Sequence, residues 1–398
     1  MRPWQLYVTI GIAGAAALAS GWRPMYLIFW VLLLSVLGSA LLSVWGSSGL
    51  AFARTLPGGR ANMGEILEER LRLENRSRMP KLWVQVTDNS TLPGHHAGYV
   101  ASMGGRKRID WRVRTNCTRR GRFYLGPVTA TIGDPLGIYT RTIPLASQRE
   151  ILVLPQILPI KQFNLFPGSM PGRGRGSQRS LQVTTNAVTV REYVPGDALS
   201  RIHWPTSART GQLMVKEFDL DPTIDVWIVL DLDERFQAGH GNESTEEYAV
   251  TIAATLANYF LYNDLSLGLI VNDGHDGVLP IDRGVRQLDR ALETLAIASA
   301  NGSPPLAETL NLHETKFMRN SAMIIITTSP EVEWAMGLRQ MERRGVHASV
   351  ITVDAQSFGA AREQKDAKEF LVGAGVPVLT VHQGQALLEA LESGGDVR

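Results

Sequence analysis

The sequence predicts a multidomain chain: a membrane α-hairpin, a small β-sandwich and then a doubly wound α/β domain, α+β in overall class. Three observations predict it. Two uncharged runs open the chain, Trp4 to Ser20 and Met25 to Trp45. Short runs of period two, broken by turn residues, fill the stretch from Gly64 to about Pro155. Beyond Asp221, continuous apolar strands alternate with amphipathic helices. A length of 398 residues suffices for two or three domains, each with its own core.

The second uncharged run is 21 residues, which at about 1.5 Å per residue spans a hydrocarbon core of roughly 30 Å. The first is shorter and rich in Ala and Gly, so a cleaved signal peptide before a single anchor is the competing reading. Only Gly21-Trp22-Arg23-Pro24 separates the runs, which favours a tight two-helix hairpin. Gly11, Ala15 and Ala19, and Ser35, Ser39 and Ser43, give each helix a small-residue face for close packing. Trp4, Trp22, Trp30 and Trp45 supply interfacial anchors. Arg2 precedes the hairpin and Arg54 and Arg60 follow it, against Arg23 in the turn. The positive-inside rule therefore predicts an inner (cytoplasmic) membrane protein with both termini and the soluble domains in the cytoplasm. The single cysteine, Cys117, fits a reducing compartment.

In the β-rich stretch, strands are predicted at Glu65–Leu73, Leu82–Val86, Arg108–Arg114, Arg122–Tyr124, Val128–Ile132 and Glu150–Leu154, with Asp134-Pro135-Leu136-Gly137 as a turn. Ile109, Trp111 and Val113 share one face. Between Arg106 and Arg122 stand eight Lys/Arg and one acid, Asp110. That run reads as a solvated strand face, or as a basic face for anionic headgroups. Over the whole chain 40 Lys+Arg against 38 Asp+Glu leaves no bulk-charge argument for nucleic acid, and none is expected as a partner. Phe166 to Ser180 is a Gly- and Arg-rich loop.

In the α/β region, strands are predicted at Ile224–Leu230, Leu267–Val271, Ala322–Ile326, Ala348–Val353 and Val376–Val381. Ser244-Thr245-Glu246-Glu247 is a capping box opening a helix. Further helices run through Val285–Leu295, Trp334–Met341 and about Glu363–Val372. The boundaries that follow are 1–48 for the two-helix hairpin and 55–160 for the β-sandwich-like domain. The Gly/Arg-rich loop and signature segment take 161–221, and the α/β domain 222–398.

Ligands gather at the carboxyl ends of strands in such sheets, and the first such end reads Asp231-Leu232-Asp233-Glu234-Arg235. A doubly wound domain whose first strand ends in Asp resembles a von Willebrand factor A domain, whose loop carries Asp-x-Ser-x-Ser and coordinates Mg²⁺. Asp231 matches that pattern, but Asp233 stands at the first Ser position and Arg235 at the second. A guanidinium at a ligand position repels a divalent cation and is free to pair with Asp231 instead. Thr327, Thr328 and Ser329 offer some oxygens, yet the loop reads as a degenerate metal site, and no metal or other cofactor is expected. Asp197, His203 and Ser207 are the residue types of a hydrolase triad but lack nucleophile-elbow glycines. His95-His96, in a Pro-Gly loop without partners at ligand spacing, reads as surface.

The strongest signature lies between these regions. Arg191-Glu192-Tyr193, Pro195-Gly196-Asp197, Arg201-Ile202-His203-Trp204, Ser207-Ala208-Arg209 and Val215-Lys216-Glu217 closely resemble the hallmark of the bacterial domain-of-unknown-function 58 family. Arg119-Arg120-Gly121 and Gly133-Asp134-Pro135-Leu136-Gly137 resemble it as well. His203 departs from the pattern, where an acidic residue is expected, and so weakens a catalytic histidine. The resemblance implies a gene neighbourhood with MoxR-type AAA+ ATPases, often with transglutaminase-like membrane proteins, and assigns no reaction. The predicted function is a membrane-anchored scaffold or adaptor that contacts the lipid bilayer and a MoxR-type ATPase. The signature residues Arg191, Glu192, Tyr193, Gly196, Asp197, Arg201, Trp204, Ser207, Arg209, Lys216 and Glu217 would form its partner-binding or structural surface. No catalytic residue is assigned. The alternative is a hydrolase using the Asp197–Lys216 cluster or the Asp231 loop. From Pro195 the segment reads as a turn whose Asp197 caps a short helix stopped by Pro205. Thr210-Gly211 then turns the chain into a Leu213–Phe218 strand that feeds the sheet.

Overall fold

The computed structural model describes residues 3–134, 137–163, 187–194, 202–218, 225–274, 276–302, 304–319, 321–360 and 365–393. The chain separates into two compact units, Met1–Gln156 and Ile157–Arg398.

The first unit opens with the apolar helix pair, α1 (Pro3–Ser20) and α2 (Arg23–Gly46). Gly21, at φ +60, closes the turn between them. The 24 residues of α2 extend about 36 Å, and α2 is long and apolar enough to cross a membrane, whereas α1 is a shorter apolar helix. The packed face of α1 differs from the predicted one. Gly11, Ala15 and Ala19 are exposed, while Ile10 and Ala17 are buried and Gly14 lies under the Phe29 ring. A Cβ at Gly14 would meet that ring at 3.0 Å, so one aromatic neighbour sets the face rather than the spacing of small residues. Ser39 and Ser43 are buried on α2, and the Ser39 hydroxyl donates to the Asp134 carboxylate.

Ten strands follow among the described residues: β1 (Leu50–Thr55), β2 (Arg60–Asn62), β3 (Ile66–Asn75), β4 (Lys81–Asp88), β5 (Tyr99–Met103), β6 (Arg108–Asn116), β7 (Gly121–Leu125), β8 (Val128–Gly133), β9 (Thr140–Ala146) and β10 (Arg149–Leu154). They form sheets in the orders β1-β3-β6, β5-β4-β8-β9 and β2-β10-β7. Leu73 of β3, Val84 and Val86 of β4 and Ala130 and Ile132 of β8 share one core, so the first two sheets pack face to face. Alternation puts Leu67, Glu69, Leu71 and Leu73 inward and Glu68, Arg70 and Arg72 outward along β3. The basic run on β6 is outward too. Arg112 and Arg114 pair with Glu68, Arg108 and Arg72 with Asp110, and Arg122 of β7 with Glu150 of β10.

The second unit holds β11 (Ala187–Glu192), α3 (Trp204–Thr210) and β12 (Met214–Phe218), then β13 (Asp225–Asp231), β14 (Gly239–His240), β15 (Glu243–Ser244) and α4 (Thr245–Tyr262). After these come β16 (Ser266–Asn272), β17 (Asp276–Asp282), α5 (Val285–Ile297), α6 (Leu306–Leu312), β18 (Ala322–Thr327), α7 (Glu333–Arg343), β19 (His347–Val353), α8 (Lys365–Ala374), β20 (Val378–Val381) and α9 (Leu387–Ser393). The large sheet is mixed, in the order β17-β16-β13-β18-β19-β20, with β17 antiparallel at one edge. Side chains of α6, α7 and α8 share a core with Trp227 and Val229, while α4 lies on β13, β16 and β18 and packs with α5. Burial of every residue from Val226 to Asp231 explains why β13 is a continuous apolar run. The Ser244 side chain accepts from the Glu247 backbone N–H, as the capping box predicts.

Two expectations about the signature segment are corrected. Pro205 does not stop a helix but sits in the first turn of α3, where its missing N–H has no intrahelical partner to lose. Strand β12 does not enter the large sheet; it pairs antiparallel with β11 as a separate two-stranded element. Gly211, at φ +74, ends α3 in the left-handed conformation, as the Thr210-Gly211 turn requires.

Candidate functional site

The carboxyl end of the large sheet is where the second unit concentrates buried polar groups. Parallel strands in register end at one level: Asp231 of β13 stands opposite Asn272 of β16, and Leu230 opposite Ile326 of β18, one residue before Thr327. Asp231 is fully buried. Its Oδ1 accepts from Asn272 Nδ2 at 3.0 Å and its Oδ2 from Thr327 Oγ1 at 2.6 Å. Asn272 also donates to the Pro304 carbonyl at 3.0 Å, and Thr327 Oγ1 accepts from the Ser329 N–H at 2.9 Å. Burial pushes Asp231 up to about 6, Asp233 adds to the rise, and the donors on Thr327 and Asn272 hold it back.

Asp233 caps the short 3₁₀ turn Glu234–Phe236 by accepting from the Arg235 N–H at 3.0 Å. The Arg235 side chain closes a fork on the same carboxylate, Nε to Oδ1 at 3.0 Å and Nη2 to Oδ2 at 2.6 Å, and its Nη1 lies 3.3 Å from Glu331. The expected partner of Arg235 was Asp231; the observed one is Asp233. The reason is reach: Asp231 points into the sheet end, while Asp233 lies at the base of the turn that carries Arg235. Each of the four carboxylate oxygens of this pair has a protein donor. Gly302 completes the wall, since a Cβ there would meet Asn272 O at 2.6 Å and Leu232 O at 2.9 Å. Of the hydroxyls noted in the sequence, Thr327 faces Asp231, while Thr328 Oγ1 accepts from Gln237 Nε2 at 3.0 Å.

The signature segment has a different character. Ser207 is buried. Its Oγ donates to His203 O at 3.0 Å and accepts from the Met214 N–H at 2.9 Å, and the His203 N–H donates to Met214 O at 2.8 Å. These bonds stitch α3 to β12, and a serine so engaged offers no nucleophile. His203 Nδ1 meets Thr206 Oγ1 at 2.7 Å. Trp204 is 65 % exposed, and Arg209 on the same helix is exposed too. Glu192 is exposed and Tyr193 half-buried, its N–H donating to Leu213 O at 2.8 Å. The side chains of Arg191, Lys216 and Glu217, and all of Gly196, Asp197 and Arg201, lie outside the described residues, as does the Phe166–Ser180 loop.

Sequence reasoning missed one buried cluster, in the first unit. His95 is not a surface residue. Its Nε2 lies 3.2 Å from Glu69 Oε1 and 3.3 Å from Asp88 Oδ2, and its Nδ1 lies 2.9 Å from Thr115 Oγ1. Arg54 Nε is 3.0 Å from Glu69 Oε2, and its Nη2 donates to Asp88. Burial pushes His95 down, but Asp88 and Glu69 outweigh it and raise it to about 9. Against the cost of its own burial, bonds from His95, Ser90 and Arg54 hold Asp88 below the usual carboxylate range. Glu69, Asp88 and His95 are also residue types that bind metals. With Arg54 and protonated His95 the two carboxylates are already neutralised, so the cluster is a closed ionic quartet. The available signal was parity, since Arg54 and Glu69 alternate in step with inward apolar residues of β1 and β3.

A family model described as "Protein of unknown function DUF58" matches residues 189–366, from the β11–β12 element through the Asp231 loop to the first residues of α8. The Arg119–Gly121 and Gly133–Gly137 motifs lie outside that match. The chain is 24 % identical over 323 residues to the uncharacterized protein YeaD of Bacillus subtilis, covering 76 % of this chain and 77 % of that one. It is 26 % identical over 219 residues to the uncharacterized protein Rv1480 of Mycobacterium tuberculosis, covering 54 % of this chain and 64 % of that one. Among solved structures, the CARDB domain of the PF1109 protein from Pyrococcus furiosus covers 26 % of this chain and 91 % of that chain, with 13 % identity and a TM-score of 0.20. The pilus adhesin SpaC from Lactobacillus rhamnosus GG covers 43 % of this chain and 29 % of that chain, with 10 % identity and a TM-score of 0.29. Scores this low support no fold assignment.

Proposed function

We propose that this protein is a membrane-anchored adaptor whose α/β unit, a von Willebrand A-like domain, binds a protein partner of the MoxR-type AAA+ ATPase class. In this reading α1 and α2 form the anchor in the inner membrane, the two units are cytoplasmic, and a transglutaminase-like membrane protein belongs to the same assembly. The observation that carries it is the closed state of the carboxyl end of the sheet: a protein donor sits on each oxygen of Asp231 and Asp233. A site with its acceptors so used holds its loops in place and leaves little for a hard cation, which needs several converging oxygens. Two further features support it. The strand order, with one antiparallel edge, accords with the doubly wound architecture of the von Willebrand A resemblance. The signature helix presents Trp204 to solvent, and exposed aromatic residues are common anchors of protein interfaces.

The alternative, a hydrolase, draws on the raised pKa of Asp231, since perturbed carboxyls cluster at functional sites. Its complete burial weighs against it, as does the engagement of the adjacent Thr327 hydroxyl, which donates to Asp231 and accepts from the Ser329 N–H. One experiment separates the two. The full chain is solubilised in detergent and tested for co-purification with a MoxR-type AAA+ ATPase, as wild type and as Asp231→Asn. The adaptor reading expects recovery of the ATPase with both proteins. Failure to recover it sinks that reading. Loss of a measurable hydrolytic turnover in Asp231→Asn, with fold and complex intact, would establish the alternative.

A further inference from the structure

The outward face of the β1-β3-β6 sheet follows a charge pattern with one break. Along the β3–β6 ladder the opposed residues are Glu68 and Arg114, Arg70 and Arg112, Arg72 and Asp110, and Glu74 and Arg108. Three of these four pairs join opposite charges, which is the favourable arrangement across a ladder. The fourth places two arginines directly opposite each other at its centre. Side chains so placed have Cβ atoms about 5 Å apart, and like charges there oppose pairing. The neighbouring acids do not fully relieve it. Asp110 is bound by Arg72 at 2.6 Å, and Glu68 lies 3.7 Å from both Arg112 and Arg114. Arg70 has no ion pair among the described residues.

The break coincides with a hollow. Ala53, Thr55, Arg70, Arg72, Asp110 and Arg112 line a cavity of about 580 Å³, and Thr55 of β1 stands opposite Arg70 on its other side. The exposed face thus offers two guanidinium forks and a hydroxyl, with small side chains on β1 leaving room above them. We propose that Arg70, Arg112 and Thr55 form a binding site for a phosphate group. Guanidinium is the cation that matches a tetrahedral oxyanion through paired, charge-assisted hydrogen bonds, and an anion between the two arginines turns their repulsion into attraction. Asp110 stays occupied by Arg72 and does not contest the site. The phosphate comes from an anionic lipid headgroup or from solution. The first source rests on the membrane reading of α2, because β1 starts four residues after α2 ends; the site itself does not depend on that reading.

The test uses the full chain in lipid nanodiscs and reads amide hydrogen exchange of β3 and β6, the latter an edge strand and so sensitive. One arm compares phosphatidylcholine discs with discs containing phosphatidylglycerol. The other adds inorganic phosphate to the phosphatidylcholine discs, with sodium chloride at matched ionic strength as control. The expected result is a slowing of about tenfold or more, the scale that one or two hydrogen bonds to charged groups produce. Slowing confined to phosphatidylglycerol discs identifies a headgroup, and slowing with inorganic phosphate identifies a soluble ligand. No slowing in either arm overturns the proposal, and so does equal slowing with chloride. Arg70→Gln must abolish the effect. Arg70→Glu, which creates an opposite-charge pair with Arg112 and keeps the ladder intact, must abolish it too; slowing that survives in either variant overturns the site.

Discussion

His95 holds its proton because β3 and β4 each turn a carboxylate inward onto it. Arg54, Glu69 and Asp88 sit at positions where their strands otherwise place apolar residues, and the loop before β5 brings His95 onto them. The pH dependence follows from the direction of the shift. The folded state holds this proton more tightly than the unfolded chain, with the imidazole raised from 6.5 to about 9. The stabilisation is therefore complete below about pH 6.5 and is lost as pH rises through about 9, amounting to about 3 kcal/mol. Denaturation of the full chain in detergent, followed across that window, should show the midpoint of the first unit falling. His95→Gln should remove the slope and cost about 3–5 kcal/mol at neutral pH, because it leaves Glu69 and Asp88 sharing one cation. A wild-type midpoint that stays flat through the window would show that His95 is neutral in the fold. Asp231, raised by burial from 3.8 to about 6, works in a lower window: its contribution is complete below about 3.8 and gone above about 6. The two groups can thus be told apart by pH alone.

Among the elements, α3 tests whether the signature is chemistry or architecture. Ser207 binds the Met214 backbone and His203 O from a buried position. Ser207→Ala should cost about 1–3 kcal/mol by leaving the partly buried Met214 N–H without its acceptor. Exchange of the β11 and β12 amides should rise with it. A variant as stable as wild type, with faster or slower turnover of some substrate, would point to a catalytic role instead. Much of the element level was legible in the sequence. Ser244 capping Glu247, the apolar run of β13 and the helix through Trp334 and Leu338 follow from local patterns that tertiary contacts reinforce. What was misread depended on information a local window does not carry. Pro205 suits either end of a helix, and the bonds from His203 and Ser207 to Met214 decide that it starts one. Strand β12 is apolar enough for a sheet, yet its partner is the nearby β11. At the carboxyl edge, Asp231 and Thr327 were legible from position, whereas Asn272 required the register between β13 and β16. His95 was missed because periodicity scores apolar positions and passes over a charge facing inward.

For the molecule as a whole, the helix pair is more than a tether. Lys81 is 1 % exposed, and its Nζ donates to Trp45 O at 3.3 Å and Ser48 O at 2.7 Å, so a strand residue caps the carboxyl end of α2. Burial pushes the Lys81 ammonium below its usual range, a cost that those carbonyls offset. Ser39, further up α2, donates to Asp134 at the end of the β8 strand, whose other oxygen accepts from the Tyr139 N–H at 2.6 Å. Deleting residues 1–46 should therefore destabilise the β-rich part, by about 2–4 kcal/mol, because it strips partners from a buried ammonium and a buried carboxylate. The second unit has its own core, built from Trp227, Ile325, Trp334 and their neighbours, and should keep its stability. Exchange measured unit by unit in matched detergent checks both halves of the expectation. Adding Lys81→Met to the deleted chain should restore part of the loss, since it removes a buried cation that has lost the Trp45 carbonyl and keeps only that of Ser48. Unchanged protection of β4 and β8 in the deleted chain would mean that the β-rich part folds without reference to the helices, and that Lys81 finds other acceptors or reaches water.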